Sequence, residues 1–309
     1  MTTRPFRFGV MAFASATREG FEEKARRIES LGYDTFVLPD HLTNPWPPIP
    51  ALTMAAMATT TLRIGCQVFA NDFRHPVVLA KEAALIDLIS NGRFEFGIGA
   101  GWLLDEYERA GITFDPPGVR ISRMEEGLKV IRGLWADPAF DFAGEYYTIT
   151  DLDGSPKPVQ KPGPPVFIGG TGKRMLKVAG RDAEIVGVLP KTQPYGGHDW
   201  TSSTEESLAE RISWVREGAG DRFDQIELSM IAFRAIVTDR PAERIAELAT
   251  KYRLSEQQFQ ATPDFQVGSL EEIVERLQRL RTRFGVSYIT IMETDVESFS
   301  PVVARLSGK

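Results

Sequence analysis

The sequence contains a single cysteine, Cys66, among 309 residues. One thiol cannot close a disulfide within the chain, and it cannot form the Cys-x-x-Cys pairs that hold structural zinc. The three histidines, His41, His75 and His198, show no metal-ligand spacing either. The sequence therefore predicts neither a disulfide framework nor a metal site.

Long apolar runs and basic blocks are also missing. No apolar run approaches the ~18 residues of a membrane-spanning helix. The apolar stretch near the N-terminus soon reaches Thr17, Arg18 and Glu19, which favours a first strand over a secretory signal peptide. The net charge is −6, and the 36 basic and 42 acidic residues are interspersed. We therefore expect a soluble, cytoplasmic protein that binds neither membranes nor nucleic acid.

Several common functional motifs are absent. No Gly-x-Ser-x-Gly turn presents a nucleophilic serine. The run from Gly169 to Arg174 is not a Walker A loop, because Phe167 and Arg174 stand where that motif requires glycine and serine or threonine. The run from Gly97 to Trp102 is not a dinucleotide fingerprint, because Trp102 takes the place of the third glycine. Its glycines indicate either close approach of a flat ligand or tight packing.

The chain does contain short apolar strands that alternate with helices. The clearest helix start is Ser269 with Glu272, a capping box. The predicted strands span residues 6–12, 33–38, 62–69, 94–98, 166–168, 185–189, 226–237 and 286–292. The predicted helices span residues 18–31, 50–60, 76–89, 102–111, 120–135, 173–180, 204–217 and 270–280. A hairpin is expected at 142–149 and a polar loop at 190–203.

Apolar strands separated by helices favour parallel pairing with both faces of the sheet covered. Right-handed crossovers repeated along the chain close most simply into an α/β barrel, the (β/α)8 TIM barrel. A doubly wound open sheet is the alternative, but the Gly-rich turn it normally carries after its first strand is absent. We therefore expect one domain over residues 1–309, a barrel with insertions after strands 4 and 6.

Functional residues of such a barrel lie at the C-terminal ends of its strands. His41 follows predicted strand 2, where its imidazole could donate to a ligand oxygen or move a proton, or simply hydrogen-bond to the loop backbone. The Gly-rich run before the helix at 173–180 indicates a phosphate site or a tight helix entry. His75 is expected to be a loop residue or a helix cap, and His198 is expected to be exposed to solvent.

A series of segments in the chain resembles the bacterial-luciferase-like flavin family, and most of all its branch that uses the deazaflavin coenzyme F420. The resemblance spans nearly the whole chain. Its segments are VLPDHL, LRIGCQVFAND, NGRFEFGIGAGW followed by DEYERAGI, RMEEGLKVIRGLW, PPVFIGGTGKRMLKVAGR and GVSYITIMETDVESFSPVV. The resemblance implies a barrel with a flavin-type cofactor at its C-terminal mouth, in a homodimer.

The resemblance also assigns roles to particular residues. It implies that His41 faces the reactive ring and that Asp40 orients it. It implies a cis peptide bond between Gln67 and Val68, behind the ring. The remaining cofactor contacts that it implies are Phe69 and Ala70 beside that bond, and Gly170, Thr171, Gly172, Lys173 and Arg174 around the phosphate.

One position departs from the pattern of this branch. Its sugar-phosphate dehydrogenases carry a catalytic glutamate just after the strand-4 glycines, where this chain has Trp102. An indole cannot exchange a proton, so Trp102 indicates an apolar pocket wall for a bulkier or more hydrophobic substrate. Trp46 either lines the same pocket or stiffens its loop.

Three functions follow from these interpretations. The first is an F420-dependent oxidoreductase that moves a hydride between the coenzyme and an unidentified small organic substrate, with His41 transferring a proton or polarising the substrate. The second is an FMN-dependent monooxygenase of the same fold, since the phosphate loop suits either cofactor. The third is a flavin-binding protein without turnover.

Overall fold

The computed structural model describes residues 4–136, 139–193 and 195–309. Eight parallel strands form a closed ring in which each strand pairs with the next and the last pairs with the first. The predicted barrel is therefore confirmed. Its strands are β1 (Arg7–Met11), β2 (Thr35–Leu38), β3 (Arg63–Cys66), β4 (Phe94–Gly99), β5 (Val166–Gly170), β6 (Ile185–Val188), β7 (Glu227–Ala232) and β8 (Val286–Met292).

Helices cover the outside of this ring. They are α1 (Arg18–Ser30), α2 (Pro48–Ala58), α3 (Pro76–Ile89), α4 (Leu104–Ala110), α5 (Pro117–Ala136), α6 (Lys173–Asp182), α7 (Glu205–Ala219), α8 (Pro241–Tyr252), α9 (Glu256–Ala261), α10 (Leu270–Phe284) and α11 (Val296–Leu306). The capping box of α10 is confirmed, with Ser269 Oγ accepting from the Glu272 amide at 3.3 Å. None of the helices in the described residues has the length and hydrophobicity to cross a membrane.

The connection after β4 contains the predicted hairpin, built from Phe140–Ala143 and Thr148–Leu152. The predicted third strand is interrupted: β3 ends at Cys66, and a short strand, Phe69–Ala70, pairs separately with β4. The connection after β6 includes residues 190–203, the second expected insertion, which end in a 3-10 turn, Trp200–Ser202. The residues that directly follow β4 and β6 lie at the C-terminal ends of these strands and so border the barrel mouth, whereas the hairpin follows α5.

The prediction of one continuous strand over 226–237 is wrong. β7 ends at Ala232, and Arg234–Val237 leaves the barrel to pair with Phe265–Gly268. The Asp295 carboxylate holds this departure by accepting from the Ala235 amide at 2.8 Å and from the Arg234 guanidinium. The apolar side chains after β7 pack in a small separate core with α8 and α9. An unbroken apolar run does not reveal that it serves two cores.

A buried ion network lies at the N-terminal end of the barrel. The Arg7 guanidinium contacts Glu95 at 2.7 Å and Glu227 at 2.7 Å, and Arg63 contacts Glu95 at 2.6 Å. Burial opposes ionisation of Glu95, but the two guanidiniums outweigh it and lower the pKa of that carboxyl. Three strand starts, those of β1, β3 and β4, are thereby joined through one carboxylate.

We expect Glu95→Gln to lower the free energy of unfolding by about 3 kcal/mol, because it removes the buried carboxylate that two partly buried guanidiniums share. Since the folded state lowers the pKa of Glu95, its contribution is present above the ordinary glutamate pKa and is lost as the pH falls through the folded value. The difference between the variant and the wild type should therefore shrink in acid. Urea denaturation at a series of pH values measures it.

The control is Glu243→Gln, which removes an exposed ion pair with Arg240. We expect this change to alter the free energy of unfolding by less than about 0.5 kcal/mol. Equal effects of the two substitutions would contradict a structural role for the Glu95 network.

Candidate active site

His41 lies just after β2 at the barrel mouth, and its partner is a carboxylate from α4. His41 Nδ1 is 2.9 Å from Glu106 Oε2. The other carboxylate oxygen, Oε1, accepts from the Thr43 hydroxyl at 3.0 Å and from the Thr43 amide at 3.3 Å. The Glu106 side chain is 2% exposed and that of His41 27%. A buried, doubly held carboxylate therefore orients a partly exposed imidazole.

This contact determines which imidazole nitrogen faces the mouth. A carboxylate oxygen accepts hydrogen bonds, so His41 Nδ1 carries the hydrogen and donates it in a hydrogen bond to Glu106 Oε2. His41 Nε2 has no hydrogen-bond partner within the described part of the chain. A ligand at the mouth can therefore meet Nε2 as a proton acceptor, or as a donor once the ring is protonated.

The expectation that Asp40 orients His41 is wrong in this structure. The Asp40 carboxylate pairs with the Arg74 guanidinium, with Nη2 to Oδ1 at 3.0 Å, and accepts from the Ala70 amide at 3.1 Å. Successive residues of an extended segment point to opposite sides, so Asp40 and His41 face different neighbours. Asp40 instead holds the segment that follows β3.

The peptide bond between Gln67 and Val68 is cis, as the resemblance implies. The Gln67 amide reaches across the barrel to β8, where Nε2 is 3.3 Å from Tyr288 Oη and Oε1 accepts from Thr290 at 3.2 Å. Phe69 is fully buried, with its ring 5.8 Å from that of Phe96. The Phe69 side chain therefore has no exposed surface with which to touch a ligand at the mouth. Its contact with a cofactor stays a prediction.

Close packing accounts for the glycines at the end of β4. A Cβ at Gly97 would lie 1.8 Å from the Cys66 carbonyl oxygen, and one at Gly99 would lie 2.6 Å from Val68. Gly101 has a φ of +71°, and a Cβ there would lie 1.8 Å from Tyr107 Oη. Of the two interpretations of this run, the contacts support tight packing against the segment at 66–68 and against α4.

An aromatic wall adjoins His41. The Trp102 ring meets the His41 ring edge to face, with centroids 5.9 Å apart, and stacks on His198 at 6.4 Å. His198 in turn contacts Trp200 at 4.9 Å and Phe233 at 4.5 Å. Side chains from the connections after β4, β6 and β7 thus meet in one place at the mouth.

The structure separates the two tryptophans that the sequence groups together. Trp102 lies beside His41, whereas the Trp46 ring packs on Phe21 of α1, with centroids 5.0 Å apart. Of the two roles left open for Trp46, this contact fits the stiffening of its loop. A contact between Trp46 and a substrate stays a prediction.

The other two histidines differ in how well the sequence predicts them. His75 caps α3 by accepting from the Val77 amide at 3.3 Å, as expected. His198 is half-buried, which corrects the prediction of a solvent-exposed side chain: it packs among aromatic rings, and its Nδ1 is buried without a partner in the described residues. Burial lowers the pKa of His198, and a hydrogen bond to the Pro190 backbone partly opposes this.

The predicted phosphate loop joins β5 to α6. No side chain caps the start of α6, because Gly172 occupies the N-cap position. The first amides of the helix therefore lack the acceptor that a capping side chain supplies, which is the arrangement that binds anions. Gly170 packs so closely on Met175 that a Cβ there would lie 2.6 Å from its side chain. The backbone of residues 170–174 and the Thr171 hydroxyl are what this loop offers a phosphate.

The two cations of this loop are engaged elsewhere. The Arg174 guanidinium donates to the Gly118 carbonyl oxygen at 2.7 Å and to Ser122 at 2.7 Å, both on α5. Lys173 Nζ lies 3.5 Å from Glu217 on α7. The structure thus places both side chains against neighbouring helices, and their expected contact with a phosphate stays a prediction.

Glu106, the partner of His41, is absent from the residues predicted from the sequence. The sequence signal was its place beside Tyr107 in the predicted helix at 102–111. The structure buries both side chains. A carboxylate on the buried face of a short helix needs a polar partner. That this partner is His41, 65 residues away in the chain, follows only from the folding of the barrel.

A closed parallel barrel with an oriented imidazole, an aromatic wall and an uncapped helix start at its C-terminal mouth has the architecture of an α/β-barrel enzyme. The family model described as luciferase-like monooxygenase matches residues 3–283 of the chain. The protein belongs to this family.

Two curated relatives match part of the chain. An F420-dependent glucose-6-phosphate dehydrogenase from Amycolatopsis mediterranei is 35% identical over 168 residues, which cover 52% of this chain and 50% of that protein. An FMNH(2)-dependent dimethylsulfone monooxygenase from Pseudomonas putida is 27% identical over 177 residues, which cover 56% and 44%. The chain thus spans about half the length of the curated relatives it matches.

Solved structures match the whole fold. The coenzyme F420-dependent tetrahydromethanopterin reductase from Methanopyrus kandleri superposes with a TM-score of 0.79 at 21% identity, covering 98% of this chain and 100% of that one. An F420-dependent secondary alcohol dehydrogenase gives a TM-score of 0.76 at 18% identity, covering 96% and 98%. At these identities the likeness shows the fold.

We expect His198 to titrate below the usual histidine pKa of about 6.5, because burial favours its neutral ring. NMR of the imidazole resonances should show one histidine with this low pKa, absent from His198→Gln and retained in His75→Gln. Because the folded state binds the proton less tightly, the wild type should lose more stability than His198→Gln as the pH falls below about 6.5. A normal or raised pKa for the missing resonance would contradict the buried placement.

Proposed function

We propose that this protein is an F420-dependent oxidoreductase that moves a hydride between the deazaflavin coenzyme and an organic substrate. The observation that carries the proposal is the His41–Glu106 pair at the barrel mouth, because a hydride transfer to or from a carbon bearing oxygen is accompanied by a proton. The partial match to an F420-dependent dehydrogenase supports this choice of cofactor.

The residues at the mouth fit a cofactor with a flat ring and a phosphate-bearing chain. The uncapped start of α6 and Thr171 would hold the phosphate. The segment at Gln67–Ala70 and His41 would border the ring. When bound, the coenzyme supplies the hydride-accepting or hydride-donating ring, and the barrel fixes it opposite the substrate.

Glu106 and Thr43 prepare His41 for the proton step. Thr43 holds one carboxylate oxygen of Glu106, so the other oxygen stays on His41 Nδ1 and fixes the ring. His41 Nε2 then takes up or delivers the proton at the substrate oxygen. We assign Glu106 the positioning role that the resemblance implies for Asp40, and we assign Asp40 the role of holding Ala70 through its amide.

The wall beside His41 bears on the substrate class. Trp102, His198, Trp200 and Phe233 present mainly ring surface at this side of the mouth. A sugar phosphate is highly polar and would make few favourable contacts with such apolar ring surface. We propose a more hydrophobic substrate, with the unpaired His198 Nδ1 as a hydrogen-bonding position within the wall.

Purified apoprotein titrated with F420 and with FMN should bind F420 more tightly. His41→Ala should then lower kcat by about 10²–10⁴-fold and leave the Kd for F420 nearly unchanged, because the imidazole acts on the proton and not on the phosphate. The kcat of Glu106→Gln should lie between those of the wild type and His41→Ala. His75→Ala, which removes the cap of α3, should match the wild type.

Other outcomes separate the alternatives. Tighter binding of FMN, with oxygen consumption that follows substrate, would favour the monooxygenase suggested by the Pseudomonas putida relative. Tight binding of F420 without redox change over a panel of substrates would favour a non-catalytic binding protein. Full activity of His41→Ala would remove the imidazole from the mechanism.

We also propose that the protein is a homodimer that associates through α3. Val78, Leu85 and Leu88 on this helix are between 46% and 50% exposed, and Met57 at the end of α2 is 76% exposed. Several exposed apolar side chains on adjacent helices are typical of an association surface. A second copy of the chain provides a matching apolar face.

Leu85→Glu with Leu88→Glu should convert the dimer to a monomer, because the contact would then bury four carboxylates across a two-fold axis. Sedimentation equilibrium measures the mass, and Lys251→Glu, a charge change at an exposed position on α8, serves as the control. A monomeric wild type, or a dimeric double variant, would contradict this surface.

A further inference from the structure

A buried polar cluster lies where the aromatic wall meets the outer core, the small core of α8, α9 and the strands after β7. Its members are Ser203 just before α7, Arg211 on α7, and Asp264 just before the strand Phe265–Gly268. Ser203, Asp264 and Arg211 are 3%, 5% and 8% exposed. The Ser203 hydroxyl donates to Asp264 Oδ2. Three separate stretches of the chain therefore meet at one buried carboxylate.

The Asp264 carboxyl is ionised at neutral pH although it is buried. Burial raises the pKa of Asp264 to about 6, while the Ser203 hydroxyl and the Arg211 guanidinium favour the charged form. Asp264 in turn opposes the fall that burial causes in the pKa of Arg211. The Ser203 hydroxyl thus donates to a charged acceptor, and such hydrogen bonds are stronger than those between neutral groups.

Both ends of the Ser203–Asp264 hydrogen bond are tied to residues of the aromatic wall. The Ser203 amide donates to the Trp200 carbonyl oxygen at 3.1 Å, and the Asp264 carbonyl oxygen accepts from the Phe233 amide at 2.9 Å. The Trp200 and Phe233 rings themselves meet with centroids 4.9 Å apart. One side-chain hydrogen bond therefore joins the two segments that carry these rings.

Nothing else of comparable direction holds the loop at 195–203 to the outer core. Among the residues that the structure describes, no other hydrogen bond connects 195–203 with 233–268. The remaining contacts are between rings, such as Trp200 with Phe265 at 4.9 Å and with Tyr252 at 5.7 Å. Apolar contacts are non-directional, so they keep the loop close without fixing its place. The polar cluster supplies that fixed point.

We propose that the buried polar cluster positions the aromatic wall for the substrate. It holds the loop at 195–203 against the outer core and so fixes Trp200 and His198 beside Trp102. The part that concerns the substrate rests on the proposed function. A buried charged group adds little net stability compared with apolar packing, but it fixes a geometry. The cluster thus sets the shape of an apolar pocket without touching the substrate or the coenzyme.

The first test measures the loop in the protein alone. Ser203→Ala removes the hydroxyl and changes no charge. Backbone amides at 199–203 should exchange hydrogen about tenfold faster in this variant, because a hydrogen bond to a charged group contributes about that factor to a local opening equilibrium. Amides of β1 and β8 should exchange at the wild-type rate. Hydrogen–deuterium exchange read by mass spectrometry gives both rates.

The second test uses His198 as a reporter of the wall. The loosened wall admits water, so Ser203→Ala should raise the pKa of His198 toward the usual histidine value of about 6.5. NMR of the imidazole resonances measures it. Ser203→Thr keeps the hydroxyl and should restore both the exchange rate and this pKa. The matched control is Ser213→Ala, an exposed serine of α7 whose hydroxyl donates to the Glu210 carbonyl oxygen, and it should change neither.

The third test separates positioning from chemistry. Ser203→Ala should leave the Kd for F420 within about twofold of the wild type. With a substrate that the wild type turns over, it should raise KM about fivefold and change kcat by less than about twofold, because the loss is one of binding geometry. A fall in kcat with KM unchanged would contradict a positioning role.

The failures of the two proposals are distinct. Wild-type exchange at 199–203 and a wild-type pKa of His198 in Ser203→Ala would overturn the role of the cluster alone. Faster exchange of the whole barrel in that variant would also overturn it, because Ser203 would then support the fold and not the wall. Failure of the wild type to bind F420 would overturn the proposed function, while the attachment of the loop is measured without any ligand.

Discussion

Closure of the parallel ring by pairing of β1 with β8 is the constraint on which the site depends. Arg7 lies opposite Tyr288 and Met11 opposite Met292 in this pairing, so the two ends of the chain complete one cylinder. Because all eight strands run in the same direction, closure brings every strand end to the same rim. His41, the loop of Glu106 and the start of α6 become neighbours only through that ring.

The two ends of the barrel differ in how their polar and charged groups are paired. At the N-terminal end, charged groups are paired with one another, and Glu95 serves two guanidiniums. At the C-terminal end, one nitrogen of His41 and a buried nitrogen of His198 have no partner among the residues that the structure describes. Paired charges hold strands in place, whereas unpaired polar atoms at a mouth leave hydrogen bonds for a ligand. The N-terminal end of the barrel therefore holds the strands together, and the C-terminal end leaves polar atoms open to a ligand.

Much of the fold was predictable because burial leaves a local pattern. The helix at Pro76–Ile89 has the predicted bounds, since a proline at its first turn and a stripe of apolar side chains are both local signals. The missed elements lack that signal. Residues 238–268, left unassigned from the sequence, form α8, α9 and an outer strand around a small core. That core exists only because the chain leaves the barrel at Phe233.

The barrel, the bounds of α3, the capping box of α10 and the place of His41 at a strand end could be predicted from the amino-acid sequence, because apolar alternation and capping involve neighbouring residues. Three-dimensional packing was needed to show that Glu106 holds His41, that Asp40 holds Arg74 and that His198 packs among aromatic rings. The partner of a polar side chain comes from whichever element packs beside it. That neighbour is selected by ring closure across long stretches of chain, and no local spacing encodes it.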